Sequence, residues 1–267
     1  MLLAVDIGNT SISVGLFRKD TEKPQGDMLF CSKLSTDARK SADEYAVLLH
    51  SVFSVRGFSI KDVTSVIVGS VVPPMTDIIK SAVSSLLSVS IYVVGPGLKT
   101  GINIRTDDPA ELGADIVANA VGALLHTEPP FVMVDVGTAT SVFAVDEKRA
   151  IVGGCIAPGL KVSADALRLH ASRLPSVSLT VPDSVIGKNT DDAVRAGILY
   201  GHAMMIDGMV YAISSALGFT DAKVVLTGGL SNSIKGLLTH KVLSLEGLTL
   251  EGLWGIYRYN ERKTKKA

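Results

Sequence analysis

The chain has 267 residues, 26 Lys+Arg against 26 Asp+Glu, and 47% hydrophobic residues. That length accommodates two lobes of ordinary domain size, and a formal net charge of zero supplies no basic field for nucleic acid or an anionic membrane surface. No uninterrupted apolar run reaches the roughly 18 residues of a spanning helix, and Asp6 breaks the apolar N-terminus too early for a signal peptide. The expectation is a cytoplasmic protein with neither a membrane nor a nucleic-acid partner. Cys31 and Cys155 are far apart and without metal-ligand spacing, which fits a reduced compartment and no zinc site.

In chain order, residues 1–6, 11–18 and 27–34 read as three short strands, joined by a Gly-Asn turn and by the polar stretch RKDTEKPQGD. SADEYAVLLHSVFSVRG then predicts a helix, with Ser41 as N-cap, Glu44 completing a capping box and Gly57 as the stop. Strand and helix alternate from there: VTSVIVGS, a helix after Pro73-Pro74, SIYVVG, and a helix from Pro109 to about Leu125 with Asp108 as N-cap and Glu111 in its capping box. After HTEPP at residues 126–130 the order restarts with strands FVMVDVG, TSVFAVD and AIVGGCI. A helix in GLKVSADALRLHASRL, a long one from Asp191 to Leu217, the strand KVVLTG and a helix after Ser231 follow. The closing ERKTKKA reads as a solvated tail. The fold class is therefore α/β with mixed sheets, duplicated in tandem, one lobe over residues 1–126 and the other over 131–267.

Each half opens on a strand that ends in a carboxylate followed by glycine and hydroxyls, Asp6-Ile7-Gly8-Asn9-Thr10-Ser11 and Asp135-Val136-Gly137-Thr138-Ala139-Thr140. One copy is an ordinary hairpin turn. Two in matching contexts point to backbone N–H groups holding phosphate oxygens, with the carboxylate facing hydrated magnesium. Gly228 and Gly229, with Ser231 opening a helix, would let a flat ligand such as adenine lie against the backbone and offer a helix N-terminus to an anion. GPGLKT and GKNT lack the P-loop spacing. In DDPAELGADIVANAVGALL, Asp115 is expected one turn beyond the capping box, on a face with Asn119 and Gly122. It is either a charge complementing the helix dipole or a group reaching into a cleft, and its place near the N-terminus would favour the anion and weaken it as a base.

Taken in order, DIGNT, GSVVPP, VVGPGLKTGINI, ELGAD, VDVGTAT, APGL, RLP, IGKNT, GILYG, TGGL and LTLEGL make the sequence resemble the type III pantothenate kinases of the acetate kinase, sugar kinase, Hsp70 and actin superfamily. The resemblance implies duplicated ribonuclease H-like, actin-like ATPase domains with a nucleotide cleft between the lobes. It implies ATP-dependent phosphorylation of pantothenate to phosphopantothenate, the first step of coenzyme A biosynthesis. On the same basis Asp6, Gly8, Asn9 and Thr10 would line the phosphate and magnesium site, Asp6 facing the metal through water, and Thr138 would contact ATP from the other lobe. Asp135 would hold a monovalent cation, potassium or ammonium; Asp115 would accept the proton of the pantothenate hydroxyl; Gly113, Ala114 and Thr190 would border that substrate. A homodimer with the second lobe in its interface is also implied.

Two positions depart from the family pattern. Ile116 stands where the family has the arginine of Gly-Ala-Asp-Arg, and an aliphatic side chain gives a carboxylate no charged donors. Thr106 stands where a tyrosine usually contacts the substrate, and Arg105 beside it is the candidate to take over the carboxylate. Because both departures fall where the acceptor is chosen, a kinase of another small hydroxy-acid or alcohol is one alternative. The other is a non-catalytic nucleotide-binding accessory or regulatory protein, against which the retained Asp115, Asp135 and Thr190 argue.

Overall fold

The computed structural model describes residues 1–264, with side chains through Glu261. The chain divides into two compact units, one formed by Met1–Thr127 with the C-terminal helix from Gly247 onward, the other by Glu128–Glu246.

In the first unit β1 (Leu2–Ile7), β2 (Ser11–Arg18), β3 (Asp27–Ser35), β4 (Ser65–Ser70) and β5 (Ser90–Val93) make one sheet in the order β3-β2-β1-β4-β5. The first three strands are antiparallel neighbours, and β4 and β5 join in parallel. Leu2, Leu3, Ala4 and Val5 are all fully buried, because both faces of β1 are covered and the strand reads as a continuous apolar run. Leu3, Val5, Val66 and Val68 share a core with Leu49 and Phe53 of α1 (Ala42–Val55) and Ile79 of α2 (Pro73–Leu86). On the alternate positions, Phe17 stacks on Trp254, and Gly15 and Gly69 approach Leu250 and Leu253, all from α7 (Leu248–Thr264). Beside α7 lies α3 (Ala114–Leu124), preceded by the two-residue strand β6 (Asn103–Ile104). The capping box expected at Ser41 and Glu44 forms, and Gly57 takes a positive φ just past the end of α1.

The second unit repeats the plan. Its strands β7 (Phe131–Val136), β8 (Ala139–Val145), β9 (Ala150–Pro158), β10 (Lys223–Thr227) and β11 (Val242–Ser244) run β11-β10-β7-β8-β9, which is the first unit's order. Senses match as well, antiparallel through β7, β8 and β9 and parallel at β10 and β11. Val132, Val134, Val136, Val224 and Leu226 pack with Leu160 of α4 (Leu160–His170), with Ile198, Leu199, Ile206 and Val210 of α5 (Thr190–Leu217), and with Ile234 of α6 (Ser231–Ile234). The α/β class and the duplication read from the sequence are those of the structure.

Several expectations change. By length and composition α5 is long and apolar enough to cross a membrane, which a search for uninterrupted apolar runs passes over. Of its apolar residues, Ile198, Leu199, Ile206 and Val210 belong to the core just described, while Met204, Met209, Tyr211 and Leu217 are exposed. The second lobe does not run to the C-terminus: α7 joins the first unit, because Leu250, Leu253, Trp254 and Tyr257 form a stripe at helical spacing that covers the open face of the first sheet. The expected tail therefore begins inside a helix that reaches Thr264, and residues 265–267 of the ERKTKKA reading lie outside the described residues. Finally, α3 starts at Ala114, five residues later than the Asp-Pro signal predicts. Asp108 instead caps a turn, its Oδ1 accepting the Ala110 N–H at 2.9 Å and its carbonyl the Glu111 N–H at 3.3 Å, a role Asp-Pro fills as readily as a helix start.

Candidate active site

Each carboxylate of the paired hairpins sits next to last in its strand, and the two occupy equivalent registers. Asp6 lies opposite Ser13 on β2 and Gly69 on β4; Asp135 lies opposite Ser141 on β8 and Thr227 on β10. The Gly8 N–H donates to the Ser11 carbonyl and the Gly137 N–H to the Ala139 carbonyl, each at 3.0 Å, so the first turn is one residue longer. Ser11 thus corresponds to Ala139, not to Thr140 as the shared spacing aligns them. Thr10 and Thr138 are true counterparts: their carbonyls accept the N–H groups of Thr36 and Gly159, both at 3.1 Å. Thr36 also donates its Oγ1 to the Gly8 carbonyl at 2.6 Å, and Gly159 lacks the side chain that would overlap the Thr138 carbonyl. Neither support carries a local sequence signal, since each lies at the far end of a third strand. Asn9, Thr10 and Thr138 are exposed at the tips. Thr140 is fully buried and bonded to His202 Nε2 at 2.8 Å, and burial pushes the His202 pKa below its usual value.

Gly228 takes φ +102°, where a side chain would run into Asp135 Oδ1 and the backbone of Val136. Its missing Cβ lets the turn after β10 close against the Asp135 carboxylate, while Gly229 is exposed. The helix expected to open at Ser231 is short. Described as α6, that helix is one four-residue turn, and Ser231 Oγ donates to the Gly228 carbonyl at 2.7 Å.

Asp115 falls in the first turn of α3, nearer the N-terminus than the sequence spacing places it. Gly113 is the N-cap and contributes no side-chain bond; Asp115 Oδ1 folds back to accept the Ile116 N–H at 2.8 Å and occupies the space a Gly113 Cβ would need. Among the described residues Oδ2 has no hydrogen-bond partner. Burial raises the Asp115 pKa and outweighs the backbone hydrogen bonds from Ile116 and Asp115 itself, which lower it. The expectation of a weakened base is thereby reversed. The start of α3 lies over the first sheet at Gly69 and Val71, which border the space next to Ala114 and Gly113. Gly69 is the strand partner of Asp6, and the Val71 N–H donates to the Ile7 carbonyl at 3.1 Å. The fold so brings Asp6, the Gly8 turn and Asp115 to the carboxyl end of β1 and β4, where ligands sit in open α/β sheets.

Of the acceptor-side residues, Ile116 is 7% exposed, and Thr106 has a buried Oγ1 with no hydrogen-bond partner. Thr190 is exposed as the first residue of α5, whose N-cap is Asn189: its Oδ1 accepts the Asp192 N–H at 2.9 Å and its Nδ2 donates to Asp192 Oδ2 at 2.8 Å. GKNT is therefore a helix cap, with Gly187 bare so that the chain can pass the Ala193 backbone. Among the described residues no three His, Cys, Asp or Glu side chains converge as a metal cluster. The carboxylates present suit a cation held chiefly by phosphates and water.

A family model described as type III pantothenate kinase matches residues 2–212. The type III pantothenate kinase of Shouchella clausii is 42% identical over 98% of this chain and 100% of its own length, and that of Brevibacillus brevis 39% identical with the same coverage. Among solved structures, a Campylobacter jejuni protein described as a Baf family transcriptional activator aligns with TM-score 0.62 at 18% identity, over 97% of this chain and 99% of its own. Component A of the Acidaminococcus fermentans (R)-2-hydroxyglutaryl-CoA dehydratase aligns with TM-score 0.57 at 13% identity, over 97% and 98%. At such identities these two likenesses speak for the shared fold.

Proposed function

The chain belongs to the type III pantothenate kinase family, and on that premise we propose how its own residues divide the reaction. The enzyme phosphorylates pantothenate with ATP, in coenzyme A biosynthesis. One observation carries the assignment: Asp115 has one carboxylate oxygen anchored on the start of α3 and the other unpaired, above the strand partner of Asp6. Its unpaired oxygen accepts the proton of the pantothenate hydroxyl and aligns that hydroxyl for in-line attack on the γ-phosphate. A pKa raised by burial makes it a better base than an exposed aspartate.

At the first hairpin Asp6, Gly8, Asn9 and Thr10 hold the ATP phosphates, with Asp6 facing magnesium through water; bound magnesium supplies charge neutralisation of the transferring phosphoryl group. Thr138, Gly228 and Gly229 are assigned to ATP as well. Asp135 holds potassium or ammonium, a reading supported by the cradle that Gly228 leaves beside its Oδ1. Gly113, Ala114, Thr106, Ile116 and Thr190 line the acceptor. A buried hydroxyl without a partner costs about 1–3 kcal/mol, so the Thr106 Oγ1 favours a ligand that pairs with it. Arg105 takes the pantothenate carboxylate in place of the arginine lost at position 116; an unchanged KM for pantothenate in Arg105→Ala rejects that role.

The second unit exposes large apolar side chains, among them Ile156 at 65%, Leu169 at 66%, Met204 at 63% and Tyr211 at 71%. We assign them to a homodimer contact, in a cytoplasmic enzyme. The deciding experiment is ADP release from purified protein with ATP and magnesium, with and without pantothenate, in potassium or in sodium. Potassium-stimulated, pantothenate-dependent turnover is expected; nucleotide binding without pantothenate-dependent ADP overturns the assignment of the acceptor.

A further inference from the structure

Nine of the eleven residues of α3 are buried, and the helix that covers it, α7, meets it through glycines. A methyl group on Gly252 would overlap the Ala118 carbonyl, one on Gly122 would meet the Leu248 carbonyl, and Gly255 faces Val121 and Leu125. Such a crossing brings the two backbones close but gives few side-chain ridges to lock in grooves, and those ridges normally fix the register of packed helices. Two polar contacts stand in for them. Thr249 Oγ1 donates to Asn119 Oδ1 at 2.8 Å, on the 2%-exposed Asn119 one turn after Asp115. At the far end His126 Nε2 bonds directly to Glu251 Oε2, both side chains largely buried. Burial raises the Glu251 pKa, and the His126 contact lowers it only in part.

We infer that Thr249 and Glu251 are positioning residues for the phosphoryl transfer: through Asn119 and His126 they set the height of α3 and so the place of the Asp115 carboxylate. The inference rests on the reading of Asp115 as the proton acceptor. Its physical basis is that α3 is a rigid lever. A slip along the smooth crossing moves Asp115 by the same distance, and a displacement of about 1 Å at a reacting group costs on the order of a hundredfold in rate. Polar side chains between two buried helices serve registry here, because the apolar residues around them do not specify it.

The test uses the whole chain and five variants, Thr249→Val, Thr249→Ser, Glu251→Gln, the double variant Thr249→Val/Glu251→Gln and Asp115→Asn, with steady-state kinetics for both substrates and thermal unfolding. Valine keeps the shape and removes the donor; serine keeps the donor. Thr249→Val is expected to lower kcat about tenfold with an unchanged KM for ATP, Thr249→Ser to restore it, and Thr249→Val/Glu251→Gln to lose more than either single change. An unchanged kcat in Thr249→Val overturns the inference, as does a loss that serine fails to restore or that follows the fraction unfolded at the assay temperature. Asp115→Asn separates the two levels. If it loses turnover while Thr249→Val keeps it, the positioning role alone fails; if Asp115→Asn retains turnover, the reading of Asp115 fails and positioning has no object.

Discussion

At the scale of single residues, Asp115 shows how burial decides the sign of an effect. A carboxylate at a helix start gains from N–H groups and the helix dipole, yet for Asp115 desolvation is the larger influence and the net shift is upward. The base form is therefore lost as pH falls, at a higher pH than for an exposed aspartate, and the acidic limb of kcat should shift accordingly. Asp115→Asn should lower kcat roughly a hundredfold or more and abolish that limb. Stability moves the other way. A carboxylate raised on folding stabilises in its protonated form below its unfolded pKa, and that contribution is lost as pH rises through the folded value. Above the limb, Asp115→Asn should melt higher than the parent, and a lower melting temperature would contradict this account. Gly113→Ala probes the same group from outside: its new methyl displaces Asp115 Oδ1. A loss of kcat on the order of tenfold to a hundredfold is expected, with KM for ATP unchanged. Asp6 and Asp135 were legible as paired carboxylates, but the correspondence of the residues after Gly8 and Gly137 was not, because the extra residue of the first turn shows only in the hydrogen-bond register.

Elements were readable wherever a local pattern had one interpretation. β1, β2, β3 and α1 fall where apolar runs, turn residues and a capping box place them. Asp108-Pro109 misleads because Asp-Pro serves a turn and a helix start equally, and only the surroundings of Gly113 and Asp115 choose between them. α7 carries its apolar stripe in plain sight, at Leu250, Leu253, Trp254 and Tyr257, yet no helix is predicted there from the sequence, and the basic residues at its end read as a tail. Its fit to α3 depends on glycines whose reason is the backbone opposite. Gly252→Ala forces a methyl into the Ala118 carbonyl, and overpacking of this kind costs about 1–3 kcal/mol or somewhat more. Calorimetry should show a melting temperature several degrees lower, whereas the same change at Gly197, which has open space around its Cβ position, should leave it near the parent value.

For the whole molecule, the chain leaves the first unit at Thr127, builds the second, and returns for the last helix. Removal of the residues after Gly247 takes away Leu250, Leu253, Trp254, Ile256 and Tyr257, none more than 2% exposed. Each such side chain is worth about 1.5–3 kcal/mol, and five together rival the roughly 5–15 kcal/mol that holds a domain folded. The truncated chain should lose the protease resistance of the first unit, at the opposite end of the sequence, and a fragment with that unit intact would refute the returning helix. The sequence by itself determined the family and the duplicated α/β plan, and singled out Asp6, Asp115 and Asp135 as the carboxylates to test, because those readings rest on residue type and short-range spacing. Only the tertiary structure decided which unit α7 completes, how the two hairpins correspond and the direction in which Asp115 titrates. Each of these depends on the groups that long-range packing brings against a residue, and neither spacing nor composition records that neighbourhood.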